Sequence, residues 1–324
     1  MIRLESCPAP PPARLEEYRR LLTACGLTDE GDGDQTVLAV EEETERLAAC
    51  GTRRGDLLLQ IAVDPCFRGE DLAARVLSAL MAQAPGRPWM LCTKPENRRM
   101  FASLGFSPLA ETADALLMEH RRGTMARFLS ALPQFPGENG AVVCHCDPFT
   151  LGHRHLIAYA AARCAHLYVF VLSEDRGAVP AADRLQLVRQ GTADLPNVTV
   201  AAGGPYFVSR ATFPAYFIKD RSRVEAVRTD LDLALFGRQA APALGIVRRF
   251  VGEEPYCPVT AAYNENMRRL LPAMGVAVEE IPRLGDISAG AVRRLWAQGN
   301  WEEVRSMVPE TTYAWLRSHT PTGP

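Results

Sequence analysis

A chain of 324 residues exceeds what one typical core organises and predicts two domains. Its 36 Lys+Arg nearly balance 38 Asp+Glu, for a net charge of -2. That balance argues against a nucleic-acid binder but leaves room for a local cation cluster around a small anion. Hydrophobic content of 47% and charged content of 23% are ordinary for a globular protein. The sequence has no apolar run of the roughly 18 residues that would predict a membrane span. The N-terminus also lacks the apolar core of a signal peptide. Nine irregularly placed cysteines predict reduced thiols in a cytoplasmic enzyme.

In chain order, Pro8-Ala9-Pro10-Pro11-Pro12 cannot be regular helix or central strand, so the extreme N-terminus reads as a surface arm. Apolar spacing (Leu15, Tyr18, Leu21, Leu22) predicts a helix over 14–25, stopped by Gly26. Residues 35–42 and 46–51 read as a hairpin pair. A buried strand over 57–63 ends at Asp64-Pro65, and a helix over 71–83 and a strand over 89–93 follow. The pattern weakens over 121–140, which places the domain boundary near residue 135. Strands at 141–146, 167–172, 198–201 and 247–251 then alternate with helices at 153–164 and 182–191. This order predicts a doubly wound parallel sheet with a ligand site at its carboxyl edge. The region 301–316 reads as packing helices.

The stretch Cys146-Asp147-Pro148-Phe149-Thr150-Leu151-Gly152-His153 joins a strand to a helix. Free N–H groups and the positive dipole at that helix start favour phosphate. Gly152 permits close approach, Thr150 supplies a hydroxyl, and His153 can donate to an oxygen as charge builds on an α-phosphate. A second loop, Gly285-Asp286-Ile287-Ser288-Ala289-Gly290-Ala291-Val292-Arg293, also enters a helix, and Ser288 and Arg293 suit phosphate. Gly252-Glu253-Glu254 ends a strand on the same edge. Cys144-His145-Cys146 is followed by no second Cys/His pair at ligand spacing, so no structural metal site is expected.

The first stretch resembles the signature of the HIGH-type nucleotidyltransferase superfamily, and the second resembles its later Ile-Ser signature, with Gly290 where a hydroxyl residue is usual. Ser173-Glu174-Asp175 with Asp183-Arg184-Leu185, together with the runs at 190–200, 209–217, 249–260 and 281–288, is similar to citrate lyase ligase. In that family the motif reads Asn-Pro-Phe-Thr; Asp147 here matches the wider superfamily. The resemblance implies ATP with Mg²⁺, held by Asp147, Phe149, Thr150, Gly152, His153, Gly252, Glu253, Ile287, Ser288 and Arg293. It further implies acetyl-adenylate formation from acetate, then transfer of the acetyl group to the prosthetic-group thiol of the lyase acyl carrier subunit. His153, Thr150 and Lys219 are the catalytic candidates, with Arg184 and Arg210 as further cations for the leaving pyrophosphate.

In the N-terminal half, the run from Val63 through Arg68-Gly69-Glu70-Asp71-Leu72-Ala73, with Asn97 and Phe101 beyond, resembles the pyrophosphate loop of GNAT acetyltransferases. This implies that Arg68, Gly69, Ala73 and Asn97 hold a coenzyme-A-like arm, although Asp71 stands where that loop has a second glycine. The expected architecture is a GNAT-like α/β domain over 1–135 and a Rossmann-like nucleotidyltransferase domain over 136–324. Two other readings share the loops: an adenylyl- or cytidylyltransferase for a phosphorylated small molecule, and a non-catalytic regulator that binds ATP and a carrier.

Overall fold

A computed structural model describes residues 1–31, 33–174, 177–207, 214–255 and 257–320. The chain forms two compact α/β units. The first comprises Met1–Thr124 and Thr212–Leu231, and the second Met125–Ala211 and Asp232–Pro324. The sequence assigns 212–231 to the C-terminal domain, whereas by its contacts this segment belongs to the first unit. No helix among the described residues is long and apolar enough to cross a membrane.

The first unit contains strands β1 (Ile2–Cys7), β2 (Gln35–Glu41), β3 (Leu47–Arg54), β4 (Leu57–Val63), β5 (Met90–Thr93), β6 (Phe106–Glu111) and β7 (Leu116–His120). They form one sheet in the order β1-β2-β3-β4-β5-β7-β6. Alternate residues of β2 point to opposite faces, and both faces are covered. Val37 and Ala39 meet Leu72, Val76 and Leu80 of α2 (Leu72–Ala82), while Leu38 and Val40 meet Tyr18, Leu21 and Leu22 of α1 (Leu15–Ala24). A short α3 (Arg98–Ser103) precedes β6.

Residues 2–7, expected to be part of an arm, pair antiparallel with β2. Their half-exposed faces and the charges of Arg3 and Glu5 hide an edge strand from a hydrophobicity reading. Among the described residues the one parallel contact in this sheet, β4 with β5, is confined to Leu57↔Met90 and Leu58↔Leu91. Beyond those two pairs the strands part, and their carboxyl ends open a cleft.

The second unit runs through α4 (Thr124–Ser130, which starts in the first unit), β8 (Asn139–Cys144), α5 (Leu151–Ala161), β9 (Leu167–Val171), α6 (Ala181–Gly191) and β10 (Val198–Ala202). After α7 (Val224–Leu235, shared with the first unit) and α8 (Ala241–Ala243) come β11 (Ile246–Gly252), α9 (Pro258–Leu270) and β12 (Ala277–Ile281). Helices α10 (Ala289–Gln298), α11 (Trp301–Met307) and α12 (Glu310–Ser318) complete it. The sheet order is β10-β9-β8-β11-β12, and every neighbour pair is parallel. The chain winds outward from β8 to β10 and returns on the other side at β11. The β8/β11 junction is therefore the topological switch point, outside which such sheets bind ligands.

Strand β8 stops at Cys144, two residues before the expected end, because Cys146 turns to a φ of 54° and is buried beyond the strand. Cys144 and Cys146 are therefore not successive same-face strand positions. Beneath the turn, the fully buried Phe149 ring lies against Gly191, where an added Cβ would come within 2.4 Å of the ring. Gly191→Ala is therefore expected to overpack this contact at a cost of about 1–3 kcal/mol. Urea denaturation of both proteins checks this, and an unchanged midpoint would show that Phe149 yields freely.

Candidate active site

Thr150 caps α5, an 11-residue helix. Its Oγ1 accepts the His153 backbone N–H at 3.3 Å, and its own N–H donates to His153 Nδ1 at 3.1 Å. Thr150 Oγ1 also lies 2.9 Å from Nδ1. A ring nitrogen that accepts from an amide carries no proton, so the neutral ring bears its hydrogen on Nε2. Loss of hydration, reinforced by His145 and Arg283, lowers the His153 pKa from 6.5 to about 4. The imidazole is thus a neutral donor at physiological pH, on a half-buried side chain that lines a cavity of about 610 Å³.

The start of α10 adjoins the start of α5. A Cβ on Gly152 would lie 3.5 Å from the Ile287 carbonyl, and Ser288 caps the 10-residue α10 by accepting the Ala291 N–H at 3.1 Å. Two helix N-termini of this length, with their orphan N–H groups, therefore flank one cavity and favour an anion there. Gly290 lines the same cavity, and a side chain at that position would meet only ordinary contacts at 3.8 and 3.9 Å. Space does not forbid the hydroxyl expected there from the sequence.

Of the residues expected to hold the nucleotide, Thr150, Gly152, His153, Gly252, Glu253 and Ile287 line this cavity, as do Ser288 and Arg293. Asp147 and Phe149 lie behind it and support the loop. The Asp147 carboxylate accepts the N–H groups of Ala178 (3.1 Å) and Val179 (2.8 Å). It also faces Arg293 Nη1 at 3.5 Å, while that same nitrogen donates to the Asp147 carbonyl. With its lone pairs so engaged, Asp147 positions Arg293 and the 178–179 loop. Phe149 stacks beside His153, with ring centroids 6.1 Å apart.

The expected cations fare differently. Arg184 is fully buried, and its guanidinium donates to the carbonyls of Val179 (3.1 Å), His145 (2.8 Å) and Glu174, so it is a strut beneath the loop. Lys219 is exposed and lies beside Gly26 in the first unit. Tyr216, three residues before it, anchors the segment there: its carbonyl accepts the Thr28 N–H, and its hydroxyl donates to the Cys92 carbonyl at 2.7 Å. Arg210 lies outside the described residues.

Several cavity residues were not singled out from the sequence. Arg283 bridges Glu254 (3.2 Å) and the Ile287 carbonyl (3.0 Å), tying the β11 end to the α10 loop. Cys257 begins α9, and hydrogen bonding to Thr260 pulls its thiol pKa below the usual value. Arg249 and Tyr263 also line the wall. The available signal was Arg249 itself, a charge inside the otherwise apolar Phe250-Val251 end of a buried strand.

In the first unit, the cleft between β4 and β5 is a second cavity of about 610 Å³, and Arg68, Gly69, Ala73 and Asn97 all line it. Asn97 Nδ2 donates to Thr93 Oγ1 at 2.8 Å, and Tyr216 forms part of the wall. Asp71, the departure from the glycine pattern, has a φ of 54°. Glycine takes that left-handed geometry freely and aspartate tolerates it, so the loop conformation survives the replacement.

A nuclear magnetic resonance titration of labelled His153 in the unliganded protein is expected to show an Nε2–H tautomer and a midpoint near 4. Because the folded state depresses the pKa, the associated stability is present above about pH 6.5 and is lost as pH falls toward 4. A midpoint at 6.5 would remove the neutral-donor assignment.

Comparison with known proteins bears on this geometry directly. The family model described as "Citrate lyase ligase C-terminal domain" matches residues 139–316, which include both phosphate-type loops. The [Citrate [pro-3S]-lyase] ligase of Klebsiella pneumoniae is 40% identical over 94% of this chain and 92% of its own length. The protein of the same name from Escherichia coli (strain K12) is 40% identical over 85% of this chain and 82% of its own. The solved structure of Thermotoga maritima TmcAL bound with alpha-thio ATP matches 56% of this chain and 55% of that one, at 14% identity and a TM-score of 0.35. With 40% identity to the two ligases sustained over 94% and 85% of its length, the chain belongs to the citrate lyase ligase family.

Proposed function

We propose that this protein activates acetate with ATP and passes the acetyl group to the prosthetic-group thiol of the citrate lyase acyl carrier, which switches the lyase on. The observation that carries the reading is the convergence of two helix N-termini and a neutral imidazole donor on one cavity at the sheet's switch point. An acetate oxygen attacks the α-phosphorus of ATP, and the bond to the β-phosphate oxygen breaks, releasing pyrophosphate. The carrier thiolate then attacks the acetyl carbonyl, the carbon–oxygen bond breaks, and AMP leaves.

His153 Nε2–H donates to an α-phosphate oxygen as negative charge grows there, and Thr150 fixes the tautomer that makes this possible. Arg293 and the N–H groups of α5 and α10 receive the remaining phosphate charge. Mg²⁺ enters as the salt of ATP and offsets the charge of the departing pyrophosphate. Among the described residues no group of three or more His, Cys, Asp or Glu is placed to hold a metal by itself. The cavity between β4 and β5 receives the carrier's coenzyme-A-like arm, with Arg68, Gly69, Ala73 and Asn97 around it. On this reading the first unit is the GNAT-like domain, and a cytoplasmic setting supplies the partners.

The reaction is tested with Mg-ATP, radiolabelled acetate and the thiol form of the carrier, following pyrophosphate, AMP and labelled carrier. Carrier-dependent label with AMP release is expected. Absence of pyrophosphate release in every condition would sink the proposal. His153→Ala is expected to keep ATP binding while turnover drops about 10²–10³-fold, the usual effect of removing one transition-state donor.

A further inference from the structure

Among the described residues of the second unit two arginines are buried, and they differ in one respect. Arg184, fully buried, spends its donors on three carbonyls. Arg249, only 4% exposed, makes one hydrogen bond, from Nη2 to the Tyr263 hydroxyl at 3.2 Å. Its Nε and Nη1 have no hydrogen-bond partner, and no carboxylate lies within ion-pair distance of it among the described residues. The Phe236 ring, 4.5 Å from the guanidinium carbon, covers one side. Tyr263 donates in turn to Asp232, so that acid is reached only through a hydroxyl and leaves Nε and Nη1 unused.

An unpaired buried cation is costly, and each buried donor left open adds to that cost. A ligand that pairs with the fork offsets both. Arg249 lines the same cavity as His153 but stands on β11, beside Tyr263, Asn264 and Met267 of α9. The phosphate-type elements, α5, α10 and Arg293, are separate segments lining the same cavity. Nε with Nη2, or Nη1 with Nη2, forms a planar two-donor fork that matches a carboxylate, and the bond to Tyr263 uses only one of the two Nη2 hydrogens. The buried Met267 beside it offers an apolar surface to a methyl group.

We propose that Arg249 anchors the carboxylate of the acid to be activated, leaving the nucleotide phosphates to the two helix ends. This assignment rests on the reaction proposed above and adds the residue that selects its carboxylate substrate. Tyr263 and Asp232 are positioning residues that aim the fork.

The test compares wild type, Arg249→Met and Arg249→Lys in two assays. Acetate binding is read by saturation-transfer NMR, with ATP binding measured by calorimetry on the same samples. Steady-state KM values for acetate and ATP are read from pyrophosphate release. Arg249→Met is expected to lose the acetate signal and raise the acetate KM about 10–100-fold, the range for a charge-assisted pair, with ATP affinity little changed. Should Arg249→Met fail to fold, Arg249→Lys carries the test, since it keeps the charge without the fork and is expected to raise the acetate KM severalfold. An acetate response equal to wild type would overturn the assignment. Loss of ATP affinity with acetate binding intact would also overturn it and place a nucleotide phosphate on Arg249 instead. Arg249-dependent acetate binding in a wild type that releases no pyrophosphate would support this assignment while removing the reaction.

Discussion

The hydrogen bond from the Thr150 amide to His153 Nδ1 does two jobs at once. It satisfies a donor at the start of α5 that no helical carbonyl can reach, and it fixes which ring nitrogen keeps the proton. Burial then keeps the ring neutral. A neutral ring keeps the Nδ1 lone pair that accepts the Thr150 amide while Nε2–H remains free to donate. The proposed donor and the helix cap are thus one structure, and the rest of the cavity is arranged around it.

That cap stands on a layer of buried polar and aromatic contacts. Asp147 accepts two amides of the loop before α6 and holds Arg293, while Arg184 gathers three carbonyls, including those of His145 and Glu174. Gly177 is part of the same design, because a Cβ there would come within 2.6 Å of the Asp147 carboxylate. The loop that presents Thr150 and His153 is therefore fixed from below by groups that do not line the cavity. Preorganisation of this kind makes fixed donors effective against developing charge.

Much of this was legible in the sequence, for identifiable reasons. Strands β8 and β9 are short apolar runs flanked by turn residues, and their alternation with α5 and α6 specified the parallel sheet. Thr150, Gly152, His153 and Ser288 stood at strand-to-helix junctions, where the chemistry is local to a few consecutive residues. What escaped depended on distant segments. Asp147 and Arg184 are the residue types expected of ligands, and only the carbonyls and amides of other loops reveal them as struts. Lys219 was read as a catalytic cation, yet Tyr216 carries its segment into the first unit. Edge strand β1 was hidden by its charges and half-exposed faces.

The central claim is that an acid oxygen attacks the α-phosphorus of ATP in the cavity shared by His153 and the two helix N-termini. Turnover with acetate labelled in both oxygens with oxygen-18, followed by mass analysis of the nucleotide and phosphate products, tests it most directly. Attack at the α-phosphorus and later release from the acyl-adenylate predict AMP carrying one labelled oxygen, with unlabelled pyrophosphate. Label in inorganic phosphate together with ADP would show attack at the terminal phosphorus instead, and would contradict the account.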